Sequence, residues 1–128
     1  MKTVIRSRQA PAAIGPYSQA AAGNGILCIS GQLPVDPETG EMSLKLEEQV
    51  RQSMRNVFAL VAAAGASPRD ILKCGLFIRD MQKFSVINQV YQEFFDQEPP
   101  ARFVVEVSRL PKDAQIEIDA IALCGIQQ

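Results

Sequence analysis

Residues 46–78 read LEEQVRQSMRNVFALVAAAGASPRDILKCGLFI, and the change of period within them decides the fold class. Leu46, Val50, Met54, Val57, Val61 and Ala64 recur every three or four positions, laying one apolar stripe along a helix. Ser43 is placed to cap its start and Gly65 to end it. Ile71 to Ile78 is then a short apolar run of the length of a buried strand, bounded by Ser67-Pro68 and Asp80. Phe84, Ile87, Tyr91, Phe94 and Phe95 mark a second helix with Asp80 as candidate cap. Pro99-Pro100 is its expected stop, since Pro99 lacks an amide hydrogen and Pro100 disfavours helical geometry in the residue before it.

Upstream, short strands alternate with turns: Thr3 to Arg6, Gly15-Pro16, Ser18 to Ala22, Gly23-Asn24-Gly25, then Ile26 to Ser30. Asn24-Gly25 between apolar runs signals a hairpin. Downstream, Arg102 to Ser108 and Gln115 to Leu123 alternate apolar and polar residues, and the six residues between them suggest a second antiparallel hairpin. Strands first, then helix, strand, helix and hairpin give an α+β class. No repeat, linker or low-complexity segment interrupts the chain, so residues 1–128 are expected to form one unit.

Composition narrows the chemistry. Thirteen basic residues against fourteen acidic ones, scattered along the chain, argue against a general nucleic-acid binder. No segment is long and apolar enough to span a bilayer, and the first residues carry no signal-peptide run. Cys28, Cys74 and Cys124 sit in apolar strand-like runs without metal-site spacing; buried free thiols and a reduced, cytoplasmic compartment are expected. Histidine is absent, which removes the usual base near neutral pH and the commonest metal ligand. Catalysis would fall to carboxylates, Arg, Tyr, Ser or backbone groups.

Matching apolar positions across the expected C-terminal hairpin puts Phe103, Val105 and Val107 on the core face with Ile116, Ile118 and Ala120. Arg102, Val104 and Glu106 then share the opposite face with Glu117, Asp119, Ile121 and Leu123. A solvated charged face is the plain reading. Val104, Ile121 and Leu123 are too apolar for it, however, and suggest a cleft or a neighbouring subunit. Proximity of Glu106 and Glu117 would favour a nearby cation or a raised pKa. Arg102 lies roughly 13 Å from Glu106 along the strand, which leaves it free for a ligand carboxylate.

Ala12-Ala13-Ile14-Gly15-Pro16-Tyr17-Ser18-Gln19, Ser30-Gly31-Gln32-Leu33-Pro34-Val35, Pro100-Ala101-Arg102, Val105-Glu106-Val107, Leu110-Pro111-Lys112-Asp113, Ile116-Glu117-Ile118 and Ala120-Ile121-Ala122 occur in this order. Together they resemble the Rid (YjgF) family of reactive intermediate deaminases, in its RidA branch, over about Ala10 to Ala122. The resemblance implies a chorismate-mutase-like α+β subunit, a mixed sheet with two helices packed on one face, and a homotrimer with active sites between subunits. It implies hydrolysis of small 2-imino acids, 2-iminopropanoate and 2-iminobutanoate, without a cofactor or metal. It maps substrate-carboxylate binding onto Arg102, water positioning onto Glu117, and a site tyrosine onto Tyr17 of the adjacent subunit. Ser30, Gly31 and Asn88 match further lining positions, and the backbone carbonyl of Val104 a second hold on the water. Phe103-Val104 replaces the family's frequent Ser-Cys pair, so no thiol chemistry is available there.

Each residue has a plainer reading. Tyr17 could pack behind the Gly15-Pro16 turn, Asn88 could be a solvated helix residue, and Ser30-Gly31 an ordinary turn. The resemblance also admits a second class, a ligand-sensing, regulatory or chaperone-like protein, or a translation inhibitor with ribonuclease activity. The missing histidines and basic groove count against a ribonuclease.

Overall fold

A computed structural model describes residues 1–125; the end of the 1–128 unit, residues 126–128, lies outside the described residues. Strands β1 (Thr3–Ile5), β2 (Ala20–Gly23) and β3 (Ile26–Gln32) are followed by helix α1 (Leu46–Ala63), β4 (Ile71–Ile78), helix α2 (Phe84–Tyr91), β5 (Ala101–Glu106) and β6 (Ile116–Leu123). The strands form one mixed sheet in the order β1-β2-β3-β6-β4-β5. Asn24 and Gly25 both have positive φ, 52° and 79°, as the tight β2–β3 hairpin requires.

Helix α1 buries the stripe that its period dictates: Val50, Met54, Val57, Leu60 and Val61 are fully inaccessible. Each such side chain contributes about 1.5–3 kcal/mol relative to exposure. Gly65, at φ 78°, lies just past its end as expected. Its start differs from expectation. Lys45 is the N-cap and makes no side-chain capping bond, whereas the Ser43 hydroxyl accepts from the Lys45 amide, two residues too early. Asp80 accepts from the Gln82 amide and caps a 3-10 turn, Met81–Lys83, that leads into α2. The helix ends at Tyr91, not at Pro99-Pro100, because the chain tightens into a second 3-10 turn, Gln92–Phe94.

The expected C-terminal hairpin does not form. β5 runs parallel to β4 at the sheet edge, while β6 is inserted between β3 and β4, antiparallel to both. β4, α2 and β5 make a crossover unit, which delivers its second strand parallel to the first. The segment between Glu106 and Ile116 then passes the end of β4, where Val107 donates to the Ile78 carbonyl and Arg79 to that of Gln115. β6 gains two neighbours, which suits a strand whose Ile116, Ile118, Ala120 and Ala122 are all buried.

This order reverses the assignment of faces on β5. Arg102, Val104 and Glu106 align with Cys74, Leu76 and Ile78 and therefore lie on the helix-covered side. Phe103 and Val105 align with Gly75 and Phe77 on the other side, together with Glu117 and Asp119 of β6. Glu106 and Glu117 are not cross-strand neighbours, and Glu106 instead accepts from the Met81 amide at 2.8 Å. The error has a physical source: both faces are apolar. Opposite the helices, Ile26, Ile121, Leu123 and Val105 remain 37–45% exposed, and Phe77 meets Phe103 edge-on at 5.4 Å. Cys28, expected to be buried, is also exposed there, paired with Ile121; Cys74 is buried and Cys124 half-buried.

Candidate active site

The sequence-predicted residues fall into two groups on opposite faces of the sheet. The first is built on β5 and α2. Arg102 projects from the edge strand toward α2, where its Nη1 donates to Asn88 Oδ1 at 2.7 Å. The guanidinium carbon lies 4.9 Å from the centre of the Tyr91 ring and 5.6 Å from that of Phe84. Among the described residues Arg102 makes no ion pair; the salt bridges belong to Arg51 and Arg79. Asn88 is thus half-buried and engaged rather than a solvated helix residue. Val104 follows on the same face, packed against the core.

The second group gathers around the end of β3. Ser30 donates its hydroxyl to the Ser18 carbonyl at 2.6 Å, which ties β3 to the Tyr17 loop. Gly31 sits beneath Glu117, so closely that a Cβ there would lie 2.5 Å from Oε2. A register shift in the β3–β6 pairing between Ile29 and Gln32 accompanies that approach. Glu117 is half-buried, and its carboxyl is held above the usual range first by desolvation and then by the charge of Asp119. Asp119 in turn accepts from the Gly75 amide across the strand pair.

Tyr17 is 47% exposed. Its hydroxyl accepts from the Ile14 amide at 3.2 Å, and its ring stands beside Gly15, so it does pack on its own turn as well as lining a cavity. That cavity, about 230 Å³, is walled by Pro11, Tyr17, Gly31, Leu33, Val35 and Lys112 among others, and not by Arg102.

Two buried amides hold these loops, a role that sequence reasoning missed. Gln19 accepts from the Ser7 amide at 2.8 Å and donates to the Pro11 carbonyl at 2.8 Å, fixing the strap that carries Tyr17. Asn56 of α1 donates to the carbonyls of Leu33 and Val35, both at 3.0 Å, fixing the opposite wall. The available signal was polarity inside an apolar context, Asn56 beside Val57 in the α1 stripe. Among the described residues no cluster of three or more Cys, Asp or Glu could hold a metal ion.

The Endoribonuclease L-PSP family model, the Rid (YjgF) family, matches residues 7–124. The chain belongs to this family. It is 49% identical to the RutC family protein PH0854 of Pyrococcus horikoshii, over 95% of this chain and 98% of that protein. It is 46% identical to the 2-iminobutanoate/2-iminopropanoate deaminase of Escherichia coli, over 96% and 98% respectively. Among solved structures, E. coli TdcF with bound serine superposes with a TM-score of 0.93 at 45% identity, covering 96% of this chain and 99% of TdcF. The mixed sheet with two helices on one face is therefore the fold of Rid proteins, as the resemblance implied.

Proposed function

We propose that this Rid protein hydrolyses 2-iminopropanoate and 2-iminobutanoate to the corresponding 2-oxo acids and ammonia, in sites shared between copies of a trimer. The observation that carries the reading is the state of Arg102. Its guanidinium is held only by neutral groups, one amide oxygen and two rings, which leaves its charge uncompensated within the described chain. One of its five N–H donors is used by Asn88, leaving enough for a bidentate grip on a small carboxylate.

In the reaction, Arg102 clamps the substrate carboxylate and fixes the imine carbon beside a water. Glu117 and the Val104 carbonyl orient that water, and Glu117 accepts its proton as the new C–O bond forms. Proton transfer to nitrogen then allows the C–N bond of the tetrahedral carbinolamine to break, releasing ammonia and the 2-oxo acid. Tyr17, Ser30 and Gly31 enclose the substrate. A raised Glu117 carboxyl suits this exchange of a proton near neutral pH better than an ordinary one.

The sheet supports sharing between copies. Arg102 and Glu117 occupy opposite faces with β4 between their strands, so one chain cannot bring both to the same substrate. The apolar, helix-free face around Ile26, Ile121 and Leu123 supports burial against another copy. The test supplies 2-aminoacrylate or its butanoate homologue from a serine or threonine dehydratase and follows 2-oxo acid formation. Wild type should accelerate release and Arg102→Ala should not; equal rates for the two would remove the assignment. A monomer in sedimentation would remove the shared site.

A further inference from the structure

Arginine carries a long, rotamer-rich side chain, and an arginine on an edge strand would ordinarily lose that freedom on binding a ligand. Arg102 has already lost it. The Tyr91 ring at 4.9 Å and the Phe84 ring at 5.6 Å flank the guanidinium while Asn88 holds one nitrogen. The Tyr91 ring is held in place, since it is 6% exposed and packs on Phe95 at 5.1 Å, and Phe95 in turn packs edge-on with Phe58 of α1. The Tyr91 hydroxyl is buried, with the Cys74 thiol as its neighbour.

We infer that Phe84 and Tyr91 are positioning residues, an aromatic cage that fixes the Arg102 guanidinium in its carboxylate-binding orientation before substrate arrives. This rests on the reading of Arg102 as a carboxylate anchor. The cage acts through Arg102 and touches no reacting atom, so its removal weakens binding and raises KM while leaving kcat close to its starting value. Cation–ring contacts of this kind correspond to a change of roughly threefold to thirtyfold in affinity when lost.

The experiment measures binding of 2-oxobutanoate to the full-length protein by calorimetry, with KM and kcat for imine hydrolysis alongside. In Phe84→Leu and Tyr91→Leu, affinity should fall about threefold to thirtyfold, with KM rising in step. Tyr91→Phe should restore most of what Tyr91→Leu loses. Labelled protein adds a signature that a structural role would not give: the Arg102 side-chain protons should be shifted upfield by the rings, and should lose that shift in the leucine variants. If Tyr91→Leu fails to fold by circular dichroism, the half-buried Phe84 carries the test, with Phe84→Tyr as its rescue. Folded leucine variants that bind like wild type, a kcat loss without a KM change, or failure of Tyr91→Phe to rescue would each overturn the inference. So would a wild type that does not bind 2-oxobutanoate. Should wild type bind the oxo acid with this ranking of variants yet not hydrolyse imines, the cage stands and the deaminase reading falls.

Discussion

If Arg102 and Glu117 serve one substrate from two different chains, two inactive proteins should make one active enzyme when mixed. Arg102→Ala removes two charge-assisted hydrogen bonds of about 1.5–3 kcal/mol each, so that at 1.4 kcal/mol per tenfold this variant should fall about 100-fold or more. Glu117→Gln keeps shape but removes the proton acceptor, a loss of roughly 100-fold to 10,000-fold. The sheet dictates what mixing does. β5 and β6 are separated by β4, roughly 10 Å apart at the usual strand spacing, and their two side chains leave on opposite faces. A competent cleft therefore needs Arg102 from a Glu117→Gln chain and Glu117 from an Arg102→Ala chain. A mixed trimer carries two copies of one variant and one of the other, and one of its three clefts meets both conditions, so about one third of the clefts recover. The assay co-expresses the variants with different affinity tags, purifies mixed oligomers over both, and measures 2-oxo acid release. Recovery to about a third of wild type would stand far above either parent. Mixed oligomers as inactive as their parents would refute the two-chain cleft.

Four further outcomes follow from the placement of these side chains. Gly31→Ala would push a methyl group against the end of the flexible Glu117 side chain, so imine hydrolysis should fall at least tenfold while thermal stability changes by about 1 kcal/mol or less; unchanged turnover would show that the carboxylate need not sit there. The Glu117 carboxyl is raised by burial and by Asp119, so activity should fail as pH drops through that raised value, and Asp119→Asn should move the acid limb of the profile to lower pH. The same shift has a stability sign: the folded state binds this proton more tightly than the unfolded one, so stability declines as pH rises from the ordinary carboxylate value through the raised one. Glu117→Gln should consequently raise the melting temperature at neutral pH and lose that advantage in acid, and a constant difference across pH would contradict the assignment. Ser53 of α1 buries a hydroxyl without a hydrogen-bond partner, so Ser53→Ala should stabilise by about 1 kcal/mol in denaturant titration.

Much of the fold is written in local periodicity. The α1 stripe from Leu46, the β4 run from Ile71 to Ile78 and the Asn24-Gly25 turn each depend on contacts within a few residues, so their positions could be read directly. Strand order depends on which neighbour a strand chooses, and alternation in β6 looks the same whether β5 or β4 lies beside it. One signal was nevertheless present. A strand, a helix and another strand with short connections form a crossover, and that rule makes β5 parallel to β4. Parity failed for a related reason: the helix-free face is itself apolar, with Phe103 packed there on Phe77, so hydrophobicity could not tell one face from the other.

The site was legible by residue type and illegible in its arrangement. Arg102 stood out as a cation distant from Glu106; among the described residues it makes no ion pair, and it lies on the face opposite Glu117. Phe84 and Tyr91 were invisible as site residues, because the helical spacing that packs a core also brings their rings against Arg102. The same topology that defeated the hairpin explains why the charge is tolerated. At an edge strand the guanidinium can rest its faces on rings and keep its donors near the boundary of the subunit; on β6, flanked on both sides, it would be enclosed and would need a carboxylate from its own chain. Under the proposed shared site, an arginine without an ion pair among the described residues, an edge strand and an apolar helix-free face serve one design, in which a second copy of the chain would give each its reason.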